Sequence, residues 1–153
     1  MKRRRLRGVV GATVVALACL QGTAMAKMMI WSPMKGRVLM NGQAAAGAVL
    51  VRRFDWQWKD EAGSDRVVAG AAGEFLFPPI ERSSLLGSIL PHEPVIEQVM
   101  TIEYKGVTYA AWNHCKGSYK VNAENDGRPI ELTCRLDAGR VAHGNVTGLC
   151  EFA

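Results

Sequence analysis

The side chains in this sequence that could bind a metal ion are three histidines and a few acidic or sulfur-containing residues. They are His92, His114 and His143, together with Glu93, Cys115 and Cys150. No pair among them has the His-x-x-x-His or Cys-x-x-Cys spacing that directs two ligands toward one ion. We therefore expect no metal site, and we expect the histidines in unrelated loops or on the surface. No motif predicts another cofactor.

The same residues do not form a recognisable catalytic set. A cysteine nucleophile needs a reduced thiol beside a base, and no serine stands in a Gly-x-Ser-x-Gly turn. Glu93 could act as an acid or a base, but the segment from Pro91 to Pro94 is more simply a rigid turn before a strand. Because no group of residues meets the geometric roles of a catalytic site, the sequence predicts that the protein is not an enzyme.

Large apolar side chains supply two candidate surfaces for a partner. Phe54, Trp56 and Trp58 lie at alternate positions on one face of a strand, and such a face is usually buried in the core. Trp58 precedes a charged turn, so we expect its side chain to be exposed to solvent, where it could bind a partner. Leu85 and Leu86 lie in an apolar connection that forms either a core plug or an exposed binding loop, and the plug is favoured. With their neighbours, the candidate partner-binding residues are Trp56, Trp58, Leu85, Leu86, His92 and Glu93.

Apolar residues in most of the chain recur with the period of two that is typical of strands. We predict about seven strands, over 36–42, 47–58, 66–69, 74–77, 95–104, 107–112 and 129–136. An Asn41-Gly42 hairpin turn follows the first, and a charged turn covers 59–65. A short helical turn is expected near 83–90, where it would pack across one end of the sandwich. These elements predict an all-β fold, an antiparallel β-sandwich.

The formal net charge of +5 comes from the first seven positions. Lys2, Arg3, Arg4, Arg5 and Arg7 lie there, and the remaining 14 basic residues balance the 14 acidic ones. A basic surface indicates polyanion binding only when it belongs to the folded domain. We therefore expect no nucleic-acid partner.

A secretory signal peptide is predicted over residues 1–26. The basic start is followed by an uncharged apolar run over 8–20 and by Ala24-Met25-Ala26, a small-x-small cleavage site. Cleavage there leaves a single domain over 27–153, in the periplasm or secreted. The alternative is lipidation at Cys19, and only then would the protein be held at a membrane.

Three cysteines remain in 27–153, and an oxidising compartment favours pairing them. Cys134 ends an alternating run and Cys150 lies near the C-terminus, so a bridge between them would fix the tail to a strand and contribute about 3 kcal/mol. Cys115 with Cys134 is the competing pair. Either arrangement leaves one thiol over.

Turn and core motifs in the first half of 27–153 resemble those of known sandwich domains. They are Gly36-x-Val38 with Asn41-Gly42, then Gly47-Ala48, then Gly73-Glu74-Phe75-x-Phe77. This pattern resembles carboxypeptidase regulatory-like and transthyretin-like domains, which implies an immunoglobulin-like or prealbumin-like sandwich and leaves function open. The whole of 27–153 is similar to an uncharacterised family of small exported bacterial proteins. That resemblance supports pairing Cys134 with Cys150 and implies no catalytic residues.

Together these features predict a non-enzymatic exported β-sandwich that binds another protein, as an immunity protein or as an accessory of the cell envelope. Small size, neutral charge over 27–153 and the lack of a catalytic set favour this hypothesis. A carbohydrate- or small-ligand-binding module is the first alternative, and it requires exposed tryptophans. A structural envelope protein anchored by lipid at Cys19 is the second.

Overall fold

The computed structural model describes residues 25–84 and 92–153. This part of the chain forms thirteen strands and two short 3₁₀ turns. The strands are β1 (Ala26–Trp31), β2 (Met34–Met40), β3 (Gln43–Ala44), β4 (Val49–Trp56), β5 (Glu61–Val68), β6 (Glu74–Phe77), β7 (Ile80–Ser84), β8 (Ile96–Tyr104), β9 (Val107–Lys116), β10 (Ile130–Arg135), β11 (Val141–His143), β12 (Val146–Gly148) and β13 (Cys150–Phe152). The turns are η1 (Gln57–Lys59) and η2 (Ala123–Asn125).

Two large sheets and one strand pair make up the fold. The larger sheet has the strand order β11-β12-β9-β8-β4-β5, and the smaller has β13-β10-β2-β3, with β6 also paired to β2. The two remaining strands, β1 and β7, pair with each other. The all-β sandwich predicted from the alternating patterns is therefore confirmed.

Alternation along the strands divides buried from exposed side chains. In β4, Arg52, Phe54 and Trp56 are buried while Arg53 and Asp55 are exposed. Both large sheets contribute to one core cluster, which includes Val38, Phe75, Phe77, Ile130 and Leu132 from the smaller sheet and Leu50, Trp56, Met100, Ile102 and Trp112 from the larger one. Burial of these inner faces is the main stabilising contribution to the fold.

A buried arginine connects the larger sheet to the neighbouring segments. The Arg52 side chain is wholly inaccessible and donates two hydrogen bonds to Asp65, at 2.7 and 2.8 Å. Its guanidinium lies 4.5 Å from the Phe77 ring centroid and 5.3 Å from that of Trp31. These contacts join β1, β4, β5 and β6, so Arg52 is part of the framework.

The predicted Asn41-Gly42 turn connects β2 to β3. Both residues have positive φ, 53° at Asn41 and 76° at Gly42, as the hairpin turn requires. The prediction of this turn is confirmed.

The observed strand pairings correct several local predictions. The charged turn expected over 59–65 is largely strand, because β5 pairs with β4 from Glu61 onward. Strand β1 was not expected, and it pairs with β7. The β2–β10 pairing is parallel within an otherwise antiparallel sandwich.

Two further corrections concern short segments. Ser83 and Ser84, placed in the expected helical turn near 83–90, end strand β7, and residues 85–90 lie outside the described residues. Val146 and Thr147, which lie beyond the last predicted strand, belong to β12, which pairs with β9.

Candidate functional site

Four aromatic side chains meet at one end of the sandwich, which we call the aromatic end: Trp56, Trp58, His92 and Tyr119. Strand β4 ends at Trp56, and η1 carries Trp58 immediately after it. His92 precedes β8, and Tyr119 lies in the loop after β9. Three separate segments of the chain therefore supply this group.

Hydrogen bonds and ring contacts hold the aromatic end together. Trp56 Nε1 donates to the Tyr119 hydroxyl at 3.0 Å, and that oxygen lies 2.8 Å from His92 Nε2. Since the hydroxyl oxygen accepts from Trp56, its own hydrogen is available for His92 Nε2. The rings of Trp58 and His92 stack at a centroid separation of 4.1 Å. Burial raises the pKa of the Tyr119 hydroxyl, although the Trp56 hydrogen bond opposes this, so it remains protonated near neutral pH.

The predicted partner-binding residues differ in their access to solvent. Trp56 is only 1% exposed and belongs to the core, so it supports this end of the molecule from within. Trp58 is half-buried, and Lys59 Nζ lies 4.3 Å from the centroid of its ring. His92 is half-buried and Glu93 is exposed. The other two candidates, Leu85 and Leu86, and the lipidation candidate Cys19 lie outside the described residues.

A second group, which we call the interior polar cluster, was not predicted. It consists of Ser32, Gln98, Lys116 and Glu124, all buried. Gln98 and Lys116 project from β8 and β9 on the inner face of the larger sheet, Ser32 lies between β1 and β2, and Glu124 lies in η2. The sheet, the N-terminal connection and the long loop between β9 and β10 therefore meet at one carboxylate.

Both Glu124 oxygens accept two hydrogen bonds. Oε1 accepts from the Ser32 backbone N–H at 3.1 Å and from Gln98 Nε2 at 2.9 Å. Oε2 accepts from the Ser32 hydroxyl at 2.7 Å and from Lys116 Nζ at 2.9 Å. Four donors compensate the desolvation of the carboxylate, which is the condition for keeping a buried charge.

The pKa values of Glu124 and Lys116 are set by two opposed effects, burial and the pairing of the two charges. Burial alone would raise the pKa of the Glu124 carboxyl, but the Lys116 ammonium and the hydrogen bonds from Gln98, Ser32 and Lys116 together lower it. Burial lowers the pKa of the Lys116 amine, and Glu124 opposes that shift only partly. Glu124 is thus an ionised carboxylate whose two oxygens are both hydrogen-bonded within the cluster.

His114 lies beside the interior polar cluster, in a cleft of about 280 Å³ that is also lined by Glu124, Asp126 and His143. Burial lowers the pKa of the His114 imidazole, despite the Asn145 carbonyl 3.3 Å from Nδ1. Among residues 25–84 and 92–153, no group of three or more His, Cys, Asp or Glu residues has an arrangement suited to a metal ion.

The thiol of Cys115 is free and exposed. His114 and Lys116, its neighbours on β9, are buried. Because consecutive strand residues point to opposite faces of a sheet, Cys115 and His114 do not face each other. Adjacent in sequence, they are not arranged as a nucleophile and its base.

The other two cysteines of the described domain form a disulfide between Cys134 and Cys150. These residues are directly opposite each other in the antiparallel pairing of β10 with β13. The favoured pairing is confirmed, and the competing pairing of Cys115 with Cys134 is wrong. The bridge fixes the last strand to the smaller sheet.

Sequence reasoning missed Tyr119 and the interior polar cluster. Tyr119 lies in a polar loop without a repeating pattern, so nothing local marks it as a partner of Trp56. Lys116 had a usable signal, because it continues the inward-facing positions of Trp112 and His114 at a spacing of two. The predicted strand ended at Trp112 and left that signal unused.

Comparison with known proteins gives one family. A family model described as a domain of unknown function, DUF6795, matches residues 34–139, from the start of β2 to beyond β10. No curated protein and no solved structure matches the chain. The described part of the chain contains no helix with the length and hydropathy that a membrane span requires.

Proposed function

The chain belongs to the DUF6795 family, and we propose that it is a non-enzymatic exported β-sandwich that binds another protein through the aromatic end. Within this proposal the protein comes from a bacterium and has the regulatory-like sandwich that its motifs resemble. Its role is that of an immunity protein or an accessory of the cell envelope. The partner contacts Trp58, His92 and Glu93, while Trp56 and Tyr119 support them from below.

The observation that carries the proposal is the preorganised, partly exposed pair of Trp58 and His92. Their rings stack, and His92 is also fixed by the Tyr119 hydroxyl. Side chains that are already ordered lose less conformational entropy when a partner binds. Tryptophan and tyrosine are also enriched among the residues that dominate protein interfaces. Glu93, exposed beside the pair, gives the surface a polar rim.

We propose no enzymatic activity because the reactive side chains either pair with each other in the interior or face away from a possible base. Glu124 and Lys116 hydrogen-bond each other and their neighbours in the interior. Cys115 faces away from the buried His114. A catalytic acid, base or nucleophile needs an orienting partner and access to a reacting atom, and these groups do not combine both features.

Export rests on the predicted leader over residues 1–26 and is supported by the disulfide between Cys134 and Cys150, since such bonds persist in oxidising compartments. Amino-terminal sequencing of the protein recovered outside the cytoplasm should begin at Lys27. If processing is instead sensitive to globomycin and the first residue is Cys19, the protein is lipid-anchored and the cleavage proposal fails.

Carbohydrate binding is less well supported by the geometry. Stacking on a sugar needs an open indole face, whereas Trp56 is buried and Trp58 contacts both His92 and Lys59. Protein binding is therefore the function that we propose.

A photo-crosslinking experiment in the cells that produce the protein tests the binding surface. A benzophenone amino acid is placed at Glu93, and a matched copy carries it at Glu131, an exposed glutamate on β10 of the smaller sheet. We expect a specific protein adduct at position 93, absent at position 131 and lost in Trp58→Ala. The absence of an adduct at 93, or the same adducts at both positions, contradicts the proposed surface.

A further inference from the structure

The outer face of the larger sheet carries five exposed charged side chains that form no ion pair among the described residues. Arg53 and Asp55 project from β4, Arg66 from β5, and Glu97 and Glu103 from β8. Glu97 accepts a 3.4 Å hydrogen bond from the Gln57 side-chain amide. Two positive and three negative groups therefore face solvent on one side of the sandwich.

Two of the three acidic side chains are placed side by side. Asp55 and Glu97 are directly opposite each other in the antiparallel pairing of β4 with β8. Like charges at such positions repel each other, because their Cβ atoms lie only about 5 Å apart. A cation between them would relieve this repulsion. Arg53 lies on the same face, two residues from Asp55, and is opposite Ser64 and Val99 rather than an acidic residue.

Around these charges, the exposed side chains are mostly small and uncharged. The exposed residues between and beside them include Ala62, Ser64, Val99, Ala110 and Asn113. A shallow depression of about 500 Å³ lies where Arg53, Asp55 and Glu97 border Ala62 and Ser64. Small side chains make this face flat enough to pack against another sheet.

We propose that this face is a dimer interface and that its occupant is a second copy of the same chain. A two-fold axis across β4 at Phe54 places Arg53 of each copy over Asp55 of the other, within reach of Glu97. The contact between Arg53 and Asp55 then forms twice, as the symmetry of an isologous interface requires. The aromatic end takes no part, so this inference is independent of the proposed function.

The size of the face fits this occupant. The four long neighbouring strands of this sheet, β5, β4, β8 and β9, have eight to ten residues each. At about 3.3 Å per residue and about 4.8 Å between strands, they span an area on the order of 600 Å². Stable interfaces bury from roughly 600 Å² upward on each partner. With exposed charges at its centre, the dimer is expected to weaken as ionic strength rises.

Sedimentation equilibrium of the exported, purified protein tests the dimer, with Cys115→Ser in every variant so that the exposed thiol cannot cross-link two copies. We expect a dimer whose dissociation constant increases with salt. Arg53→Asp alone and Asp55→Arg alone should each raise that constant roughly tenfold or more, and the double swap Arg53→Asp with Asp55→Arg should return it to within about threefold.

Arg37→Asp provides the matched control, because Arg37 is an exposed arginine on the smaller sheet. It should leave the dissociation constant unchanged. A protein that stays monomeric at all concentrations overturns the proposal. So does a dimer that is insensitive to the single reversals, or one that the swap fails to restore. The salt dependence of the unreversed protein tests the same interface if a reversal variant does not fold.

Discussion

The Lys116 ammonium lies 2.9 Å from the Glu124 carboxylate at a place where neither side chain reaches solvent. Lys116 is the last residue of β9, and Glu124 belongs to η2 in the loop that follows. The pair therefore fixes this loop to the inner face of the larger sheet. Through Ser32, the same carboxylate also holds the connection between β1 and β2. One ion pair thus holds together β9, the loop that follows it and the distant connection between β1 and β2.

Glu124→Ala should lower the free energy of unfolding by about 3–5 kcal/mol, because it leaves Lys116 as a buried charge without its partner. Replacing both residues, Lys116→Met with Glu124→Leu, should recover much of that loss. Equilibrium unfolding in urea measures both changes. The control is Glu131→Gln, which removes one partner of the exposed pair with Lys35 and should cost no more than about 1 kcal/mol. Equal losses for Glu124→Ala and Glu131→Gln would contradict the assigned role.

The pH dependence of stability should carry the signature of Glu124. Its pKa in the folded protein lies below the ordinary value of 4.5, so the unfolded chain binds its proton first as the pH falls. The stabilisation is complete above that ordinary value and is lost as the pH falls through the lowered pKa. Glu124→Gln should flatten the acid side of the curve of unfolding free energy against pH. Urea unfolding from about pH 6 to pH 3 tests this, and an unchanged slope would show that Glu124 does not titrate as described.

The elements with a regular pattern could be predicted from the sequence. The alternation of Leu50, Phe54 and Trp56 predicted β4, and Asn41-Gly42 predicted the turn after β2. Strand β1 was missed because Met28, Met29, Ile30 and Trp31 form a continuous apolar run without alternation. The parallel pairing of β2 with β10 was also missed, since it joins segments far apart in the sequence. Local periodicity does not encode which distant strands become neighbours.

The candidate site was only partly predictable for the same reason. Trp58 and Glu93 were identified by residue type and by their neighbours. Tyr119 and Glu124 acquire their roles only when the loop between β9 and β10 folds over the sheet. A buried polar group is recognised by its partners, and those partners come from other segments. Lys116 looks like an exposed turn residue until the bulge near Ala111 and the full length of β9 are known.

Removing the disulfide should destabilise the protein by about 3 kcal/mol, as expected for closing a loop of this length in the unfolded chain. Cys134 and Cys150 are separated by 16 positions. The double replacement Cys134→Ala with Cys150→Ala should lower the melting temperature in the absence of reductant. Cys115→Ala, which removes the free thiol, should leave it nearly unchanged. If Cys115→Ala were the more damaging change, the pairing would not be the one that stabilises the native protein.

Tyr119→Phe should lower the free energy of unfolding by about 1–3 kcal/mol, because it removes the hydroxyl that accepts a hydrogen bond from the buried Trp56 Nε1 and leaves that donor unpaired. Tyr109→Phe is the control, since Tyr109 is also half-buried but its hydroxyl makes no hydrogen bond within the described residues. Urea unfolding monitored by tryptophan fluorescence measures both. If the aromatic end is the binding surface, Tyr119→Phe should also weaken the adduct at position 93, through the displaced His92. Equal stability losses for the two variants would show that the hydroxyl does not organise this end of the sandwich.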